Sequence, residues 1–170
     1  ITSTREAKVQ RTQHEETKEI VRKDKSVSSY QTIIDTPGGN VMHAMKESDP
    51  GYVDFGEAYF SEIIPFKIKA WKRHKKMTLN YAVPQGNIKF VLYDDRQGSS
   101  TKGEVQEIFL GPDNYCRVTV PPMIWNGFKG IGAETAIVAN CASIVHDPDE
   151  IDRRDPFDSY IPYDWSIRHR

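Results

Sequence analysis

Turn-forming residues cut this chain into short pieces from Tyr30 onward, and that spacing constrains the fold more than any single motif does. Pro37-Gly-Gly-Asn40, Ser48-Asp-Pro-Gly51, Pro84-Gln-Gly86, Gly111-Pro-Asp-Asn114 and Pro121-Pro122 each interrupt an apolar or alternating run. Gly, Pro, Asn and Asp mark such points because each favours a turn backbone. Between the breaks, strands are predicted over 57–64, 66–74, 77–83, 87–93, 105–110, 115–120 and 135–145, with a short segment at 41–45. No strand is assigned between Pro122 and Thr135. Strand and helix periods do not alternate, so a parallel βαβ sheet is excluded. The expectation is an all-β sandwich or barrel of antiparallel strands.

Residues 1–30 differ in texture. Val9, Ile20 and Val21 are the sizeable apolar residues among Glu, Lys, Gln and Arg through 5–25, too few for a core-facing stripe. The segment is read as a polar N-terminal extension, helical or partly disordered, with residues 31–170 as one domain. A length of 170 residues allows a core without staples. No run is apolar for long enough to span a bilayer, and the first residues carry no apolar segment of the signal-peptide kind. The expected location is the cytoplasm. Cys116 and Cys141 are read there as reduced core thiols, although a pair is open in principle. A net charge of −1 argues against a general nucleic-acid binder.

Against that neutral background, residues 67–76 hold six Lys or Arg and one His. Strand alternation puts Phe66, Ile68, Ala70, Lys72, His74 and Lys76 on one face, and Lys67, Lys69, Trp71, Arg73 and Lys75 on the other. The first face begins apolar and ends cationic. It fits a strand whose base packs a core and whose end reaches a pocket mouth, and equally a solvated basic edge.

A small barrel with this turn pattern suggests a cupin jelly roll. Where a metal-binding cupin carries its first His-x-His, this chain has Lys72-Arg-His74, and Asn126 stands at the later His. One His, one Lys and one Asn do not make a metal site, so no metal and no cofactor are expected.

The ordered motifs resemble the metal-free cupins of the dTDP-4-dehydrorhamnose 3,5-epimerase family. Gly86-Asn-Ile-Lys-Phe-Val-Leu-Tyr-Asp-Asp-Arg96 is similar to that family's Gly-x-Val-x-x-Val-x-x-Asp-x-Arg strand. Gly98-Ser-Ser-Thr-Lys-Gly103 and Val120-Pro-Pro-Met-Ile-Trp-Asn-Gly-Phe128 follow in the family's order, then Asp147-Pro148, Asp155-Pro156 and Ile161-Pro-Tyr-Asp-Trp165. The resemblance covers roughly residues 55–165. It implies a cupin-type jelly-roll β-barrel, a homodimer, and a nucleotide-sugar substrate whose 4-ketone acidifies the neighbouring C–H bonds. It implies neither a nucleic-acid partner nor a membrane.

The family's catalytic Arg-Gly-Leu-His-Tyr-Gln falls on Lys69-Ala-Trp-Lys-Arg-His74, so Lys72 stands at the base position. The orienting aspartate falls on Asp155, the catalytic tyrosine on Asn140 and a second tyrosine on His146. An aspartate beside Lys72 would hold it charged and leave it a poor base. The expectation is therefore that Lys72 stabilises an enolate and His74 is the base. Asn140 can only hydrogen-bond. His146 is either an acid or a strand-end residue. Lys69, Lys76, Trp125 and Asn126 are expected to bind substrate, with Trp125 as a pocket wall, while Tyr59 and Tyr81 are read as core. His43 is read as packed, His14 and His169 as solvated. The leading function is proton abstraction and return beside the 4-ketone of an NDP-4-keto-6-deoxyhexose. The alternatives are a non-catalytic nucleotide-sugar or anion-binding cupin and a 3,4-ketoisomerase.

Overall fold

The computed structural model describes residues 27–166. Twelve strands follow in order: β1 Val27–Tyr30, β2 Ile33–Ile34, β3 Val41–Met42, β4 Glu57–Ile63, β5 Ile68–His74 and β6 Leu79–Gln85. Then come β7 Ile88–Asp94, β8 Val105–Leu110, β9 Cys116–Val120, β10 Ile124–Gly130, β11 Ala136–Ala142 and, after a 3₁₀ turn at Pro148–Glu150, β12 Ile151–Arg153. One sheet runs β1-β9-β6-β11-β4 and the other β12-β5-β10-β7-β8, with β2 and β3 as a separate hairpin. All pairings between named strands are antiparallel. This is the cupin-type jelly roll expected from the turn spacing. The segment set apart as 1–30 contributes β1 to a sheet, and its residues 1–26, with His14, lie outside the described residues, as does His169.

The core fills the space between the sheets, where strand alternation places Leu79, Tyr81 and Val83 of β6 against Ile88, Phe90 and Leu92 of β7. Phe90 and Phe128 stack with centroids 4.9 Å apart, and Tyr81 meets both edge-on. Gly86 takes φ +70 in the β6–β7 turn, where a Cβ would come 2.5 Å from Ala136 Cα, so the Pro-Gln-Gly turn needs its glycine. Cys116 is buried in the core and Cys141 is half-buried; both are free thiols.

A second apolar layer, Trp71, Val91, Trp125, Ile161 and Trp165, covers the outer face of the second sheet. The C-terminal segment lies across that face, held by Lys129 Nζ donating to the Trp165 carbonyl at 2.7 Å. Sequence reading assigned no strand at β10, although β10 is the central strand of this sheet. Its Asn-Gly pair looks like turn chemistry. Gly127 is there for close packing instead, since a Cβ would sit 2.4 Å from Ala70 Cβ and 3.1 Å from Trp165 Cζ2.

Candidate active site

The alternation predicted for residues 66–76 breaks in the middle of β5. Asn126 of β10 is opposite Lys72, but Phe128 is opposite Lys69, so Ala70 and Trp71 together face Gly127. One extra residue in a strand is a β-bulge, and it reverses the facing of everything beyond it. Ile68 and Ala70 therefore pack outward with Trp71, while Lys69 joins Lys72 and His74 in lining a cavity of about 430 Å³. The expectation that Ile68 and Ala70 share the Lys72 face is corrected by this bulge. Lys76 is exposed past the end of β5 and is not among the residues lining the cavity; it contributes its backbone N–H to Glu150.

Glu150 is the carboxylate of the site, which sequence reading missed. Asp147 caps the 3₁₀ turn by accepting from Asp149 N, and β12 then pairs antiparallel with β5, placing Ile151 opposite His74. Glu150 Oε2 lies 2.6 Å from His74 Nδ1, and Oε1 accepts from Met77 N at 2.8 Å and from Lys76 N. Both partners are buried, at 4% and 6% exposure. Burial alone would raise the Glu150 pKa; the two backbone donors and the imidazole outweigh it and hold it low. An ionised carboxylate only accepts, so His74 Nδ1 carries the proton and Nε2 is the basic nitrogen. Burial pushes the His74 pKa down; Glu150 opposes this, and Lys72 and His146 add to it. Asp155, expected to orient the base, is exposed and accepts from Phe157 N at 2.8 Å. The local turn, not the Asp-Pro motif, brings a carboxylate against His74.

Lys72 was expected beside a carboxylate, with a raised pKa. Its amine instead lies over the Tyr81 and Phe128 rings, 5.5 and 5.7 Å from their centroids. Burial lowers its pKa and Arg153 lowers it further, against an opposing contribution from Tyr59. Tyr59 also lines the cavity. Its phenol is pushed up chiefly by burial and by Tyr81, against Lys72 and the Asn140 amide. Asn140 is register-paired with both Tyr59 and Tyr81, so a phenol from β4 lines the cavity beside the Asn140 position. Asn140 Oδ1 accepts from Asn80 N at 3.0 Å. Asn140 Nδ2, Asn126 Oδ1 and the Tyr81 hydroxyl are buried without partners. Three unsatisfied polar atoms on strands facing one interior suit a polar ligand.

His146, exposed, lines the mouth with Lys69, Arg153 and Arg154. Trp125 does not line this cavity. It lies on the outer face at 2% exposure, with the guanidinium groups of Arg73 and Arg154 4.6 and 5.5 Å from its ring centroid, and its indole N–H donates to Asp95 at 2.9 Å. The reason is strand parity, since Asn126 and Phe128 hold the inward positions of β10. Asn126 is fully buried and donates to the Lys72 carbonyl at 3.2 Å. Among the described residues, no group of three His, Cys, Asp or Glu could hold a metal ion. No described helix is long and apolar enough to cross a membrane.

No protein-family model matches the chain. It is 33% identical over 142 residues to a probable low-salt glycan biosynthesis epimerase of Haloferax volcanii, covering 83% of this chain and 88% of that protein. A dTDP sugar isomerase from Desulfovibrio desulfuricans has a similar structure, with TM-score 0.80 and 42% identity over 82% of this chain and 90% of that one. dTDP-4-dehydrorhamnose 3,5-epimerase from Bacillus anthracis, solved with TDP and PPi bound, gives TM-score 0.76 at 19% identity, covering 89% and 91%; that likeness is one of fold.

Proposed function

The chain belongs to the family of nucleotide-sugar epimerases typified by dTDP-4-dehydrorhamnose 3,5-epimerase, and we propose that it moves a proton beside the 4-ketone of an NDP-4-keto-6-deoxyhexose. The observation that carries this reading is the buried His74–Glu150 pair opening into a cavity shared with Lys72 and Tyr59. His74 Nε2 takes the proton from the carbon beside the ketone, and Glu150 is its positioning residue. Lys72 activates the ketone. Tyr59, whose phenol stays protonated, returns a proton. Lys69, Arg153 and Arg154 receive the diphosphate at the mouth. The residues at hand supply a base, an acid and a cation without a metal.

A 3,4-ketoisomerisation would use the same base on carbon 3, and the 42% identity to a dTDP sugar isomerase favours weighing it. The assay for both is solvent exchange. In deuterated water with dTDP-4-keto-6-deoxyglucose or related sugars, deuterium enters carbon 3 or carbon 5, and product analysis separates inversion from ketone migration. No exchange above background across such a panel defeats the catalytic reading in favour of a binding cupin.

The proposal includes a cytoplasmic homodimer. β4 is an edge strand with exposed Phe60, flanked in sequence by exposed Phe55, Ile64 and Phe66, an apolar strip suited to a second copy. Sedimentation at monomer mass would remove the dimer from the reading.

A further inference from the structure

Lys72 is held differently from the two most buried cations among the described residues. Lys89 has Glu107 at 3.4 Å and the Ser166 carbonyl at 3.3 Å; Arg117 has Asp49 at 2.6 Å and the Pro50 carbonyl. Both are structural cations with oxygen partners. Lys72 instead lies against two aromatic rings inside the cavity. The titratable groups acting on it are the Tyr59 phenol and Arg153, and it acts in turn on His74. The two rings favour an ammonium, but burial without a carboxylate, with Arg153 register-paired to it across β5 and β12, weighs against the charge, and loss of the proton removes that cost. Burial beside another cation makes a lysine amine nucleophilic towards carbonyl groups. Two-residue alternation puts this amine on the face of His74, and the bulge before it brings Lys69 to the same cavity.

Resting on the reading of the site above, we propose that Lys72 is a nucleophile, and that its amine adds to the C4 ketone so that proton transfer runs through an enzyme-bound iminium ion. The nitrogen lone pair forms the N–C4 bond and the carbonyl oxygen takes up a proton. With one proton drawn from solvent, the carbinolamine loses that oxygen as water, leaving C4 doubly bonded to a cationic nitrogen. His74 Nε2 takes the proton from carbon 3 or carbon 5, and the electron pair of that C–H bond neutralises the iminium as an enamine. Tyr59 returns a proton to carbon and restores the iminium. Water adds at C4, the amine leaves, and the ketone re-forms. One water is released and one consumed, and nothing is oxidised or reduced.

The test is reductive trapping of the full chain with dTDP-4-keto-6-deoxyglucose and sodium cyanoborohydride, which reduces an iminium in preference to a ketone. The expected result is inactivation that needs both reagents, with the sugar's mass fixed on Lys72 in the peptide digest. Lys72→Arg keeps the charge and removes the nucleophile; it is expected to lose the adduct and to lower deuterium exchange at least 10³-fold. Wild-type exchange without an adduct, or Lys72→Arg exchanging within tenfold of wild type, overturns the covalent step and leaves the epimerase reading standing. Wild-type protein that exchanges no 4-keto sugar overturns both.

Discussion

His74 Nδ1 and Glu150 Oε2 are 2.6 Å apart, joined across 76 residues of sequence by the pairing of β12 with β5. The carboxylate fixes which imidazole nitrogen is basic, and it is itself fixed by two backbone N–H groups. Glu150→Gln keeps an oxygen for those donors but presents an amide to Nδ1. It is expected to lower the exchange rate by about 10²- to 10⁴-fold with little change in KM. Asp155→Asn is expected to leave the rate near wild type.

The acid limb of kcat/KM reports the proton on His74. The base works neutral, and its pKa lies below the ordinary 6.5 because burial disfavours the charged form. Activity is therefore retained below pH 6.5 and lost as pH falls through the lowered value. Between the two values the unfolded chain binds the proton that the folded chain refuses, so stability also falls as pH drops there. His146 contributes to the depression, and His146→Ala is expected to move the acid limb up. A limb that stays in place would show His146 to be electrostatically silent.

Tyr59→Phe separates abstraction from return. Deuterium exchange at the abstracted position is expected to continue, while inversion falls by about 10²- to 10⁴-fold. NMR of the recovered sugar reads both. Equal loss of exchange and inversion would remove Tyr59 as the acid.

The mouth cations make a salt-dependent claim. A nucleoside diphosphate at a hundredfold excess over its Kd is expected to stabilise the fold by about 2.7 kcal/mol. Arg153→Ala and Lys69→Ala should each weaken binding, and less so at high ionic strength. Thermal shifts across nucleotide and salt titrations check this, and unchanged melting at millimolar nucleotide would refute it.

Trp125 carries a stability prediction in place of a binding one. It is nearly fully buried and in contact with two guanidinium groups, so Trp125→Ala is expected to cost about 3–5 kcal/mol in denaturant unfolding. Trp125→Phe is expected to leave the KM for substrate unchanged.

The β-architecture and most strand positions were readable from residue order, because turn chemistry and two-residue alternation are local properties. So was the shared facing of Lys72 and His74, which both line the cavity, because they stand two residues apart in one strand. Residue order also carried the family's ordered motifs, and with them the substrate class. β10 escaped because a glycine chosen for close approach to Ala70 reads like a turn glycine. The facing of Lys69 escaped because a bulge is a relation between two strands, invisible along either one. That Glu150 and not Asp155 lies against His74 was hidden, because it depends on which loop returns beside β5. That Tyr59 lies beside Asn140 was hidden too, because the two are neighbours across a ladder, 81 residues apart in the chain. Which lysine lacks a carboxylate was likewise settled by packing, since desolvation and counter-ions are properties of the assembled interior. Residue order thus determined the fold and the chemical types available, and only the tertiary contacts decided which carboxylate meets His74, which phenol enters the cavity and which face of β5 lines it.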